Sequence, residues 1–269
     1  MDTWRLLASC WRPDPLAIGV CLGAAVAAFA PGPRFALRIL PFAAALLALV
    51  LALASPIGQL ADGYLFSAHM LQHLLLVLVV PPLALLGFAP LLSARGAGEG
   101  RGLPRLRPLV AWGLGVGAMW LWHEQTLCNA ASQSAIVHRV QEVSLLVMGT
   151  AFWWPILAPR EASRLPPLAG MAYLFTACVA CTLLGVLITF SPVEVCSVFA
   201  HPVDRLGVMP LVRDGWGLSA ERDQQVGGLL MWVPACLVYG AGILGVLGRL
   251  LREHPTLDGS VEESKEAAS

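Results

Sequence analysis

For most of its length this chain does not place apolar residues on one helical face or alternate them with polar ones. They run on in blocks, at roughly 14–31, 35–54, 67–92, 108–127, 135–157, 167–190 and 225–248, and the segments between collect Pro, Gly, Arg and acidic residues. A helix needs about 20 apolar residues to cross a bilayer. Lipid offers the backbone no hydrogen-bond partner, so only helices and closed barrels span it, and these blocks are too long for barrel strands. The pattern predicts an all-α fold: a polytopic membrane helical bundle with about seven transmembrane helices, forming one domain over 1–252 and followed by a disordered polar tail over 253–269. The first block begins near Pro15 and lacks a small-x-small cleavage site, so it is read as the first membrane helix and not as a signal peptide. Pro81-Pro82 and Pro155 predict kinks or breaks in the third and fifth helices. Ser219 is placed to cap the last helix, with Glu221 in its first turn.

Cations set the expected orientation. Arg34 and Arg38, then Arg95, Arg101, Arg105 and Arg107, then Arg160 and Arg164, then Arg249 and Arg252 all fall on one side of a seven-span arrangement. The positive-inside rule makes that side cytoplasmic, which puts the N-terminus outside, despite Arg5 and Arg12, and the C-terminus in the cytoplasm. Composition agrees with a multi-pass membrane protein in contact with lipid: 57% of residues are hydrophobic and 13% charged, against about 25% charged in soluble domains, and mean hydropathy is +0.72. A formal net charge of zero, with Lys265 the only Lys, leaves no basic face for nucleic acid. The seven Cys are an odd set, several inside apolar runs, which argues against a disulfide framework. Cys178-Val-Ala-Cys181 reads as two small buried thiols.

On this topology the ionisable groups gather at one level. His69 and His73 begin the third helix, His123 ends the fourth, His138 and Glu142 begin the fifth, and Asp223, Gln224 and Gln225 begin the seventh, all on the outer side; His201 lies in the long outer loop of about 191–224 and His254 in the tail. His69-Met-Leu-Gln-His73 and His138-Arg-Val-Gln-Glu142 echo one another, each placing polar groups at i, i+3 and i+4, on one stripe of a helix. Two facing stripes with His123 could close a site of three or four nitrogen and oxygen ligands. Imidazole suits copper, zinc, iron and nickel; Met70, Met119, Met231 and Cys196 would add soft ligands that favour Cu(I). A membrane His also serves as an interhelical hydrogen-bonding group, an N-terminal Asp also as a solvated helix start, and two helix His also as axial ligands of a haem. No nucleophile elbow, phosphate loop or HExxH helix is present to make an enzyme.

Several of these stretches have a familiar form. Ser55-Pro56, Leu65-Phe-Ser-Ala-His-Met-Leu-Gln-His-Leu-Leu-Leu76, Pro81-Pro82-Leu83, Leu121-Trp-His123, Phe152-Trp-Trp-Pro155, Gly185-Val-Leu-Ile-Thr-Phe-Ser191 and Trp216-Gly-Leu-Ser219 occur in order, followed by Asp223-Gln-Gln-Val-Gly-Gly-Leu-Leu-Met-Trp-Val-Pro234. From about residue 50 to 250 the chain resembles the CtaG-type cytochrome c oxidase assembly factors, associated with caa-type oxidases. The resemblance implies a multi-span membrane protein that acts in maturing the oxidase, with copper as its cargo and the copper-centre subunit of cytochrome c oxidase as its partner. It assigns His69, His73, His123, His138 and Asp223 to the family's polar positions. Glu142 stands where the family repeats a His, Glu124-Gln-Thr-Leu-Cys128 follows the Trp-His pair where Pro and Tyr are usual, and Val195-Cys196 replaces a common Tyr. The expected metal set is therefore His69, His73, His123, His138, Glu142 and Asp223. The competing expectations are a haem-binding membrane protein and a structural membrane partner without metal.

Overall fold

The structure, a computed structural model, describes residues 3–28, 39–95 and 107–253. Every regular element among them is helical: α1 (Thr3–Ser9), α2 (Pro15–Ala28), α3 (Ile39–Leu53), α4 (Pro56–Ala61), α5 (Phe66–Leu74), α6 (Val80–Arg95), α7 (Pro108–Trp122), α8 (Gln125–Gln133), α9 (Ala135–Leu157), α10 (Pro167–Thr189), α11 (Ser197–Ala200) and α12 (Ala220–Glu253). Each of the seven expected apolar blocks overlaps at least one of these helices. Four stretches are long and apolar enough to cross a membrane: Phe66–Gly87, Ala135–Leu157, Pro167–Thr189 and Ala220–Arg252. Ile39–Leu53 and Pro108–Trp122 are apolar but shorter, and α2 has 14 residues as described. Arg34, Arg38, Arg101, Arg105, His254 and the tail from 254 lie outside the described residues; Glu253, expected in the tail, closes α12.

The third block is one rod with a widened turn. α5 runs through a π-helical turn at Leu75–Val79 into α6. The cause is Pro81, which has no N–H to give the carbonyl four residues back, Val77. That carbonyl accepts instead from the Trp153 indole of α9, 3.2 Å away. The same carbonyl would stand 2.8 Å from a Cβ at Gly149, so a glycine is what lets α9 approach this turn. The expected break is thus a repaired bulge.

α10 and α12 form the most extensive helix pair. Their backbones meet at Gly185 and Gly228, as expected for membrane helices that pack through small residues. A Cβ at Gly228 would stand 2.6 Å from the Thr189 amide nitrogen and 2.8 Å from the Gly185 carbonyl oxygen. The central core joins side chains of α3, α5, α7, α9, α10 and α12, among them Leu49, Met70, Leu145, Phe152, Leu174 and Met231.

The long loop between α10 and α12 is largely ordered. Besides α11 it holds a π turn at Leu211–Gly215, and its Val208 and Val212 pack with Leu6 and Cys10 of the N-terminal segment and with Tyr64 and Leu65 in a second, smaller core. The Trp216 indole donates to the Thr3 hydroxyl at 3.2 Å. The N-terminal helix and this loop therefore sit at one end of the bundle. Arg249, which donates to the Ile156 carbonyl, is at the other. Ser219 accepts from the Arg222 amide and caps α12, as expected.

Gly228→Val is expected to lose about 1–3 kcal/mol by overpacking α10 against α12. The check is the thermal unfolding midpoint in detergent, with Gly240→Val, whose Cβ would meet nothing within 4 Å, as the tolerated control.

Candidate metal site at the rim of the bundle

α5 carries His69 and His73 on one face, four residues apart, as their spacing requires. Both are fully buried, with ring centroids 4.2 Å apart. His138, from the first turn of α9, stands 5.8 Å from His69. His123, which caps the C-terminus of α7, stands 5.4 Å from His73. Four imidazoles from three helices, more than fifty residues apart at the extremes, thus form one buried cluster. Phe199 of α11 lies over it, 5.1 Å from the His69 ring.

The ring nitrogens are unevenly partnered. His123 Nδ1 is hydrogen-bonded to the Met119 carbonyl. A carbonyl can only accept, so Nδ1 carries the proton and the Nε2 lone pair faces the Met70 sulfur at 3.0 Å. Two electron-pair donors therefore face each other with no proton between them. His138 Nε2 lies 3.2 Å from Glu142 Oε1, while its Nδ1 has no partner. Neither nitrogen of His69 or of His73 has a hydrogen-bond partner. The Ala61 carbonyl faces His69 and the Gln141 amide faces His73, but neither closes to hydrogen-bonding geometry.

The carboxylates behave differently. Glu142 Oε1 also accepts from the Gln72 amide at 3.0 Å, and Oε2 pairs with Arg139 Nη1 at 2.7 Å. Arg139 Nη2 in turn reaches Asp14 at 2.7 Å. Asp14 is buried and caps α2, accepting from the Leu16 and Ala17 amides at 2.9 Å each. Glu142 is thus the hub of a network that orients His138 and ties α2, α5 and α9 together, the arrangement by which outer groups fix a ligand ring. Asp223 is also fully buried. Its oxygens accept from the Phe66 amide (2.7 Å), the Ser67 amide (3.0 Å) and the Ser67 hydroxyl (2.5 Å). It caps α5 from a residue 157 positions away and fixes the helix that carries His69 and His73.

The expected set therefore divides. The structure gathers His69, His73, His123 and His138, sets Glu142 beside them with its oxygens engaged, and uses Asp223 as a cap. Among the described residues no three His, Cys, Asp or Glu side chains stand in an arrangement that holds a metal as placed. His201 is exposed and 4.0 Å from Glu194, apart from the cluster. The expectation that cysteine numbers argue against disulfides is corrected by a Cys128–Cys196 bridge: both sit where α8 meets the segment leading into α11, and an odd total says nothing about a single pair. Cys196 is consequently not a soft ligand. Asp14, Arg139 and Phe199 escaped the sequence reading. Asp14, just before Pro15, carried a helix-cap signal; its pairing with Arg139, 125 residues on, carried none.

A helical membrane bundle whose rim encloses four imidazoles with open lone pairs defines a class of candidate metal-handling membrane proteins. The sequence model of the cytochrome c oxidase caa3 assembly factor family (Caa3_CtaG) matches residues 23–253, and the chain belongs to that family. No curated protein and no solved structure matches it.

Asp223→Ala removes the cap of α5 and is expected to lower stability by about 0.5–2 kcal/mol; Asp223→Asn, which keeps an acceptor oxygen, should lose less. Thermal unfolding of the two purified variants beside the unmodified chain measures the difference.

Proposed function

We propose that this assembly factor is a non-catalytic, multi-pass protein of the bacterial plasma membrane, with seven crossings and its N-terminus outside, that takes up copper at the outer rim and supports maturation of the copper-centre subunit of cytochrome c oxidase. Copper is cargo here. His69, His73 and His123 would hold it, with the Met70 sulfur as a soft ligand and His138, oriented by Glu142, completing the set. Asp223 positions α5. Soft sulfur and imidazole together select Cu(I) over harder ions.

The observation that carries this reading is the set of unpartnered nitrogens. A buried polar group without a partner costs about 1–3 kcal/mol, and a group of purely structural role would have been given one. Gln72, next to these imidazoles, has its amide nitrogen partnered by the Ala52 carbonyl and Glu142, while its oxygen and the Gln141 amide share the unpartnered state of the His69 and His73 nitrogens. The His69 and His73 nitrogens are left open beside His123 Nε2, which suits a cation that arrives and leaves.

Two outcomes test it. Detergent-purified protein loaded with Cu(I) should retain about one copper per chain, and His69→Ala or His73→Ala should abolish retention and leave the oxidase without its copper centre in cells. Absence of copper after loading, together with normal oxidase maturation in those variants, would sink the proposal, and an optical spectrum of the same preparation reports any haem. His69→Leu separates this role from helix gluing: the metal-free variant should be as stable as the unmodified protein or more so, because an unpartnered imidazole has been replaced by an apolar side chain, while copper retention is lost. A fall in its unfolding midpoint would assign His69 to holding helices together.

A further inference from the structure

At the opposite end of the bundle from the imidazoles, a groove of about 640 Å³ opens between α3, α6, α9 and α12. Its walls are apolar: Pro82 and Leu86 of α6, Trp153 and Leu157 of α9, Val238 and Gly245 of α12. From Val238 to Arg249 it follows α12 for eleven residues, about 16 Å at the helical rise. That is roughly half of a ~30 Å hydrocarbon core, the depth of one leaflet. Among the described residues two cations, Arg164 and Arg249, close the shallow end. Both are tethered to carbonyls of the last turn of α9 or just past it: Arg249 Nη1 to Ile156 at 3.4 Å and Arg164 Nε to Ala158 at 2.6 Å. Capping that helix end explains those two nitrogens. It does not explain Arg249 Nη2, which is buried and has no partner. Among the described residues the groove walls present no His, Cys, Met or carboxylate, so none of these would ligate a metal or a haem.

We propose that this groove is a specific phospholipid site. It holds one acyl chain of an anionic phospholipid, with the phosphate group on Arg249 and Arg164, at the end of the bundle that also carries Arg160 and Arg252. Apolar length, depth and charge each select the same ligand: a chain fills the groove to mid-membrane, and paired guanidinium groups recognise phosphate oxygens through charge-assisted hydrogen bonds. Basic pockets between membrane helices on the cytoplasmic side bind anionic headgroups in this manner. The bound lipid would pack against Trp153, whose indole satisfies Val77 in the widened turn of the third helix, and so brace the helix that carries the imidazoles at its other end.

The test is native mass spectrometry of the full chain in detergent, titrated with phosphatidylglycerol and with phosphatidylcholine of identical acyl chains. The unmodified chain should retain one phosphatidylglycerol, several-fold in preference to phosphatidylcholine. Arg249→Gln should reduce the two lipids to parity, and Arg249→Lys should keep most of the preference. Gly245→Leu fills the groove without a backbone clash, since a Cβ there meets nothing within 4 Å; it should expel both lipids. Gly240→Leu, equally unhindered and outside the groove, should expel neither. Equal retention of the two lipids by the unmodified chain, or undiminished phosphatidylglycerol binding by Gly245→Leu, overturns the proposal.

Discussion

A polar side chain taken into the apolar interior of this bundle must find a partner or remain costly, and the partners are distributed unevenly. The carboxylates are engaged: Asp14 by the start of α2 and Arg139, Glu142 by Gln72, His138 and Arg139, Asp223 by the start of α5. Of the imidazoles they surround, His69 and His73 have no partner on either nitrogen and His138 has none on Nδ1. The acids set where α2, α5, α9 and α12 stand relative to one another, and the rings are left with free lone pairs. The rim is therefore rigid where it is charged and open where it can coordinate, which is the order in which a preorganised binding site has to be built.

Between the rim and the middle of the membrane, the widened turn at Leu75–Val79 has a similar logic. Pro81 leaves the Val77 carbonyl without its helical donor, and an orphaned carbonyl in a lipid-surrounded helix is tolerated only if a neighbour satisfies it. Trp153 does so, and Gly149 allows α9 to come close enough. One substitution-sensitive contact thus sets the spacing between the helix with His69 and His73 and the helix with His138 and Glu142. The same α9 carries, further along, the carbonyls that hold Arg249 and Arg164, so the two ends of the molecule share a scaffold.

How legible all this was in the sequence depends on the range of the interaction. The helices could be read because continuous apolar runs and their Pro, Ser and Asp punctuation are local signals; Ser219 at α12 and Pro81-Pro82 in the third helix behave as local rules require. The two polar stripes could be read because helical spacing puts i, i+3 and i+4 on one face, and the topology brought His123 to the same level. Which polar residue serves which purpose could not. Asp223 looked like one more ligand at the right depth, but its carboxylate is absorbed by two amides and a hydroxyl at residues 66 and 67. Asp14 with Arg139 and Cys128 with Cys196 are pairings across 125 and 68 positions, and nothing in either local sequence names its partner. Helix lengths were harder still: His123 ends α7 four residues before the apolar block runs out, because Glu124 caps a new helix there by accepting from the Thr126 and Leu127 amides.

Charge separates the occupants the rim could take. Asp14, Arg139 and Glu142 form one connected unit in which two carboxylates face a single guanidinium. Counted formally, that unit carries one negative charge, with both carboxylates buried and Arg139 partly exposed, and an unbalanced charge away from water is expensive. A monovalent cation among the imidazoles balances it, whereas a divalent ion overshoots and, being more strongly hydrated, loses more on entering a buried site. On the proposed copper-carrying role, Glu142 is the acid that both orients His138 and would supply the counter-charge, so that charge as well as donor number would select the occupant.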